Sequence, residues 1–458
     1  MAIATVNPAT GATVQTFEAH DDAEVERRIA QADAAVAELR ATTFAQRAQW
    51  AHATADILDA ENEQVAQILT LEMGKPIGQA RAEVSKCAAG LRFYADNAAS
   101  FLADEPLEDP SSVKASSAFS RYQPLGVILA VMPWNYPLWQ VVRFAAPALM
   151  AGNTGVLKHA SNVPQTALYL DTLFARGGFP EGAFRTLLIG SRQVEAVIDD
   201  PRVKAVTLTG SEPAGQAVAA RAGDRIKKSV LELGGSDPFI VMPSADLDAA
   251  VATAVKARTQ NNGQSCIAGK RFIVHADVYD AFTEKFVAAM DALTLGDPAD
   301  ESTDVGPVAT EGGRQDLIDL VEDAKQAGAS ILLGGDVPEG DGWFYPVTVV
   351  ADLPEHARLV QEEIFGPVAS LYRVADREEA LRIANQTTFG LSSAVWTQDD
   401  EEKAFFVDGI EAGGVFVNGM TVSYPELPFG GIKRSGYGRE LAAAGIREFC
   451  NLKTVWVA

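Results

Sequence analysis

Apolar and polar positions change period several times along the chain. Over residues 21–70 apolar residues recur at helical spacing in an Ala-, Glu- and Gln-rich background that holds no proline or glycine, which predicts helix. Residues 125–132 form instead a short, nearly all-apolar run, the pattern of a strand buried on both faces. Residues 161–176 read as helix, and short runs at 205–208, 236–242 and 271–275 read as further strands. Strands separated by helices imply an α/β fold, with a parallel sheet covered on both sides.

Two segments depart from this alternation. Residues 104–123 carry two prolines among acidic residues and then a serine-rich stretch, which reads as an extended ribbon leaving one domain; residues 449–457 read as a terminal strand. Residues 122–142 lack Asp, Glu, Lys and Arg for about the ~20 residues that cross a bilayer. Pro124, Pro133 and Pro137 interrupt that stretch, and lipid does not tolerate the broken backbone bonding they bring. It reads as a buried strand, a turn and the start of a helix.

Composition narrows the function. At 458 residues the chain is long enough for two or three domains of ~150 residues. Its net charge of −23 repels nucleic acid and anionic membranes, so neither is expected as a partner, and an anionic substrate would need a local basic group. Three widely spaced cysteines, Cys87, Cys266 and Cys450, argue against a disulfide framework and for a reducing compartment. No basic and apolar leader pattern opens the chain, so the expected location is cytoplasmic. The five histidines show no ligand spacing, so no metal is expected.

Several residues could carry chemistry. Cys266 lies among small and polar residues with Lys270 four positions on, one turn away if the segment is helical; such a setting could lower the thiol pKa, although a plain buried cysteine fits too. Glu232, between leucines and before Gly234-Gly235, could be a desolvated base or a solvated strand-end glutamate. Thr209-Gly210-Ser211 follows an apolar strand and could open a helix toward a phosphate, or be an ordinary turn. Asn135, in Pro133-Trp134-Asn135-Tyr136-Pro137, could cap the next helix or donate its amide to an oxyanion.

Taken together these segments resemble the aldehyde dehydrogenase superfamily. The resemblance rests on Pro133–Pro137, Leu157-Lys158, Thr209-Gly210-Ser211, Glu232-Leu233-Gly234-Gly235, Gly263-Gln264-Ser265-Cys266, Glu363-Ile364-Phe365-Gly366-Pro367 and Pro428-Phe429-Gly430-Gly431-Ile432-Lys433, in the family's order over essentially the whole chain. It implies a Rossmann-like cofactor-binding domain (1–103 and 124–233), an α/β catalytic domain (234–446) and a small β oligomerisation ribbon (104–123 and 447–458), in a homodimer or homotetramer. By the same resemblance Cys266 attacks an aldehyde, Asn135 and the Cys266 N–H hold the oxyanion, and Glu232 activates the water that hydrolyses the thioester. Trp134, Lys158, Ser161, Gly210, Ser211, Glu363 and Phe365 would bind the dinucleotide.

Ser161 bears on the cofactor. Many NAD-preferring members carry a glutamate there, which would repel a 2′-phosphate; serine beside Lys158 favours NADP, with NAD possible, while a plain surface serine or an Asn162 cap is the ordinary alternative. Trp139 and Arg143, four apart on one helix face, and Ser423 suggest a substrate carboxylate, since guanidinium can clamp one with two hydrogen bonds. This pattern resembles succinate-semialdehyde dehydrogenases. The alternatives are an enzyme for another ω-carboxylated aldehyde such as glutarate semialdehyde, a broad-range or coenzyme-A-acylating member, a catalytically silent structural oligomer, and an Arg143 that pairs with a carboxylate of the protein itself.

Overall fold

Residues 2–458 are described by the computed structural model. Three larger sheets organise the chain, beside a two-stranded antiparallel sheet of Ile3–Val6 and Thr13–Phe17. The first has six strands in the order Gly436–Tyr437, Lys228–Glu232, Val203–Thr209, Val127–Met132, Thr154–His159 and Phe184–Thr186. All are parallel except Gly436–Tyr437. The second has seven strands, parallel except at the Ser330–Leu333 edge, with Gly269–His275 and Asp237–Val241 near its middle. The third is antiparallel and joins Cys450–Val457 to Ser117–Pro124 and Glu105–Pro106.

The apolar run at 125–132 becomes the central strand Val127–Met132, with five of its six residues buried because strands flank it on both sides. The expected helical stretch at 21–70 is three helices, Asp22–Arg40, Phe44–Ala60 and Asn62–Met73. The first break falls at Thr43, whose side chain and that of Gln46 cap each other's backbone N–H groups. Residues 122–142 divide into strand, loop and helix, and no helix among the described residues is long and apolar enough to cross a membrane.

Two features lay outside the sequence reading. Ile77–Phe101 is a 25-residue helix whose buried face packs under the helix Trp139–Ala151. The segment 234–446 also does not stay with one sheet: Gly436–Tyr437 pairs with Lys228–Glu232 and carries the preceding loop back over the end of the first sheet.

Candidate active site

Strand order places a crevice in the first sheet. The chain runs outward from Val127–Met132 through Thr154–His159 to Phe184–Thr186, then returns to lay Val203–Thr209 on the other side. Connections diverge at that switch point, so a ligand cleft opens beyond the carboxyl ends of the two adjoining strands. The residues that follow them, Pro133, Trp134, Asn135, Gly210 and Ser211, line a cavity of about 220 Å³ with Leu233, Glu363, Phe365 and Cys266. Trp134 and Phe365 meet edge to face at 5.6 Å. Ser211 is the N-cap of the helix Glu212–Asp224, and its side chain caps no backbone N–H, which leaves the first-turn donors for an anion.

A second, larger cavity of about 910 Å³ reaches Cys266 from the other side, lined by Lys86, Tyr136, Trp139, Arg143, Ser423 and Phe429 among others. Cys266 and Gln140 line both cavities. A group entering by one therefore meets a group entering by the other at the thiol.

The helix Leu247–Thr259, capped by Asp246, ends just before the turn that leads to Cys266. Asn261, Asn262 and Gly263 then take three successive left-handed conformations, φ 58°, 56° and 72°. A Cβ on Gly263 would lie 2.4 Å from the Gly366 carbonyl, so both the backbone sign and the space require glycine. Asparagine tolerates this region, and here its amides also tie down the turn. Asn261 Nδ2 donates to the Asn135 and Gln264 carbonyls, both at 2.9 Å, and Asn262 Nδ2 donates to the Gly74 and Pro307 carbonyls. Asn135 Nδ2 donates to the same Gln264 carbonyl at 3.1 Å, leaving its second N–H for an oxyanion. Asn135 does not cap the following helix. The Glu83 carboxylate does, accepting from the Leu138 and Trp139 N–H groups at 3.0 and 2.9 Å.

The thiol differs from expectation. Burial pushes Cys266 up to about 12, and the pull of Lys270 and Arg143 is too weak to offset it. Lys270 is also not one helical turn away. It lies on the strand Gly269–His275, and its ammonium is held by the Ser265 and Cys266 carbonyls at 2.9 and 2.6 Å and by Glu363 at 3.2 Å. Glu363 also accepts from Gly235 N–H at 3.0 Å.

Glu232 ends its strand 2% exposed, with neither carboxylate oxygen hydrogen-bonded. It lines neither cavity and rests against Gly430, its Oε1 2.6 Å from where a side chain there would begin. Burial and the nearby Glu440 carboxyl push Glu232 well above the usual carboxylate range; Arg143 and Arg439 oppose this. Arg143 in turn forms an ion pair with Glu440 and lies 4.6 Å over the Phe429 ring. It is thus not the free clamp the sequence suggested, although it still lines the larger cavity beside Trp139. The Ser423 hydroxyl accepts from Trp139 Nε1 and from Lys86 Nζ, both at 2.9 Å.

Lys158 lies near the end of the strand Thr154–His159 and Ser161 just beyond it, and neither lines either cavity. Burial lowers the Lys158 ammonium, which has no carboxylate partner among the described residues. Asn162 does not cap the helix Pro164–Arg176; the buried Glu72 carboxylate accepts from Gln165 and Thr166 N–H at 2.8 and 3.0 Å. Sequence reasoning missed Lys86, Glu83, Asn261 and Glu440. Asn261 and Glu440 stood near motifs, the first two residues before the Gly263–Cys266 stretch and the second seven residues beyond Pro428–Lys433.

The aldehyde dehydrogenase family profile matches residues 1–455. The chain is 66% identical over 458 residues, and over the full length of both proteins, to succinate-semialdehyde dehydrogenase (NADP(+)) 1 of Mycobacterium tuberculosis. The crystal structure of succinic semialdehyde dehydrogenase from Streptococcus pyogenes in complex with NADP+ superposes with a TM-score of 0.96 at 37% identity, covering 99% of each chain. The structure of Gox0499 superposes with a TM-score of 0.97 at 40% identity over all of both chains.

Proposed function

The chain belongs to the aldehyde dehydrogenase family, and on that premise we propose that it oxidises succinate semialdehyde to succinate with NADP. The observation that carries the reading is the meeting of the two cavities at Cys266, one at the switch point of a Rossmann-like sheet and the other lined by Trp139, Arg143 and Ser423. Full-length identity of 66% to relatives named for that reaction supports the choice of aldehyde and cofactor.

Cys266 Sγ attacks the aldehyde carbon while the second N–H of Asn135 and the Cys266 N–H take the oxyanion. A thiol held near 12 loses its proton as the bond forms, to water in the larger cavity that reaches it, so this step does not require Glu232. NADP, when bound, accepts the hydride and leaves a thioester on Cys266. The pyrophosphate is assigned to Gly210 and Ser211, and the nicotinamide side to Trp134, Glu363 and Phe365. Lys158 and Ser161 receive the 2′-phosphate: the lysine has no acidic partner and position 161 brings no competing carboxylate. Glu232 then turns from Gly430 toward the thioester and activates water. Its raised pKa makes it a strong base once ionised.

The substrate's remote carboxylate is assigned to the part of the larger cavity where Trp139 meets Ser423, with Arg143 beside it but engaged by Glu440. The first sheet is read as the core of the cofactor domain, the second as that of the catalytic domain and the third as an oligomerisation ribbon. Leu107, Val113, Leu452, Trp456 and Val457 are exposed on or beside that ribbon, as expected of a homodimer or homotetramer in the cytoplasm. A kinetic grid of NADP and NAD against succinate, glutarate and uncharged semialdehydes and aldehydes tests the reading. The highest kcat/KM belongs to NADP with succinate semialdehyde. A higher value for an uncharged aldehyde or for NAD would reject it.

A further inference from the structure

The wall of the larger cavity is nearly charge-balanced. Lys75 is paired with Glu83, and both side chains are 1% exposed. Arg143 is paired with Glu440 and, together with Arg439, also acts on Glu232, so its charge is already met by acidic groups of the protein. Lys256 and Asp304 at the rim are exposed and opposite in sign. Lys86 alone breaks the balance: among the described residues it has no carboxylate partner, although it is largely enclosed. A cation withdrawn from water without a counter-ion is costly, so a position that keeps one points to a ligand that supplies the missing charge.

The surroundings of Lys86 are built rather than incidental. The helix Ile77–Phe101 presents Glu83, Lys86 and Gly90 at spacings of three and four to the start of the next helix, Trp139–Ala151. Glu83 caps that start. A Cβ at Gly90 would lie 2.9 Å from the Trp139 ring, so glycine there seats the indole. Lys86 Nζ stands 4.5 Å over the same ring and donates to Ser423 Oγ. Ser423 Oγ thus accepts two hydrogen bonds, and its own proton has no acceptor among the described residues. A hydroxyl saturated as acceptor can only donate, which suits an anion's oxygen.

We propose that Lys86 is a specificity-determining residue, supplying the unbalanced positive charge that holds the remote carboxylate of the aldehyde, with the Ser423 hydroxyl donating beside it. The assignment rests on the succinate-semialdehyde reading and adds to it a residue from the N-terminal half of the chain. Burial and the neighbouring Arg143 lower the ammonium to about 8, so it remains mostly charged at neutral pH. A bound carboxylate would favour the charged form further.

The test compares kcat/KM for succinate semialdehyde with that for butanal, an uncharged aldehyde of the same carbon count, in wild type, Lys86→Met and Lys86→Arg. In Lys86→Met the ratio falls by about tenfold to a hundredfold, the scale of one hydrogen bond to a charged group. The loss is carried by KM for the semialdehyde, succinate weakens as a competitive inhibitor, and Lys86→Arg restores part of the ratio. If Lys86→Met does not fold, Lys86→Gln gives the same readout. A wild type with no preference over butanal overturns the substrate reading and this assignment together. A wild type that prefers the semialdehyde, with a ratio unchanged in Lys86→Met or Lys86→Gln, overturns this assignment alone.

Discussion

Arg143 faces Glu440 under the ring of Phe429, and both residues are almost fully buried. The pair connects the larger cavity to Glu232, the base proposed above, because the Glu440 carboxyl also raises Glu232 while Arg143 lowers it. Loss of the Arg143 charge leaves Glu440 without its partner and Glu232 with only the smaller pull of Arg439. Arg143→Met is therefore expected to push Glu232 still higher. A base works only when ionised, so the acidic limb of the deacylation rate moves to higher pH. A pH–rate profile under conditions where hydrolysis limits turnover checks this; an unmoved limb would show that the pair does not tune the base.

Glu232→Gln removes the base and leaves the nucleophile. Acylation and hydride transfer continue, so NADPH appears as a burst of about one equivalent per active site. The steady rate that follows is lower by about 10²- to 10⁴-fold, the usual contribution of a general base. Stopped-flow absorbance reads both phases, and a full steady rate without a burst would contradict the role.

Lys75 and Glu83 form a buried ion pair, with Lys75 Nζ 4.4 Å over the Tyr136 ring and Glu83 capping the helix that begins at Trp139. Lys75→Met strands a carboxylate away from water and is expected to cost about 3–5 kcal/mol. Adding Glu83→Gln removes that charge and recovers part of the loss, since the amide oxygen still accepts the helix N–H groups. Denaturant unfolding of the single and double variants measures this; a double variant no more stable than Lys75→Met would contradict it.

Ser161→Glu places a carboxylate where the 2′-phosphate of NADP is assigned. KM for NADP rises by at least about tenfold, the effect of ~1.4 kcal/mol of repulsion, and NAD is affected far less. Steady-state kinetics with each cofactor checks it; equal effects on both would remove Ser161 from the phosphate site.

The sequence made part of this legible. The apolar run before Pro133 marked the central strand because a strand flanked on both sides excludes polar residues. Asn135, Glu232 and Cys266 could be found through ordered short motifs. Lys86 could not. It is a lone lysine in an alanine-rich stretch, and its meaning depends on Ser423, 337 positions away. The sequence leaves open that Arg143 pairs with a carboxylate of the protein, but that Glu440 is this carboxylate is invisible for the same reason: charge balance in a cavity is a property of folded neighbours. Between a lowered thiol and a plain buried one the sequence leaves Cys266 open, because polar neighbours in sequence say nothing about how much protein surrounds the thiol.

The central claim is that Cys266 carries the acyl group of succinate semialdehyde until Glu232 activates the water that releases it. Mass spectrometry of Glu232→Gln, mixed with NADP and succinate semialdehyde and quenched in acid, tests this directly. The account predicts one added succinyl group per chain, mapped by peptide digestion to Cys266 and absent when Cys266 is also changed to alanine. An unmodified protein that still forms NADPH, or a succinyl group on another residue, would contradict it.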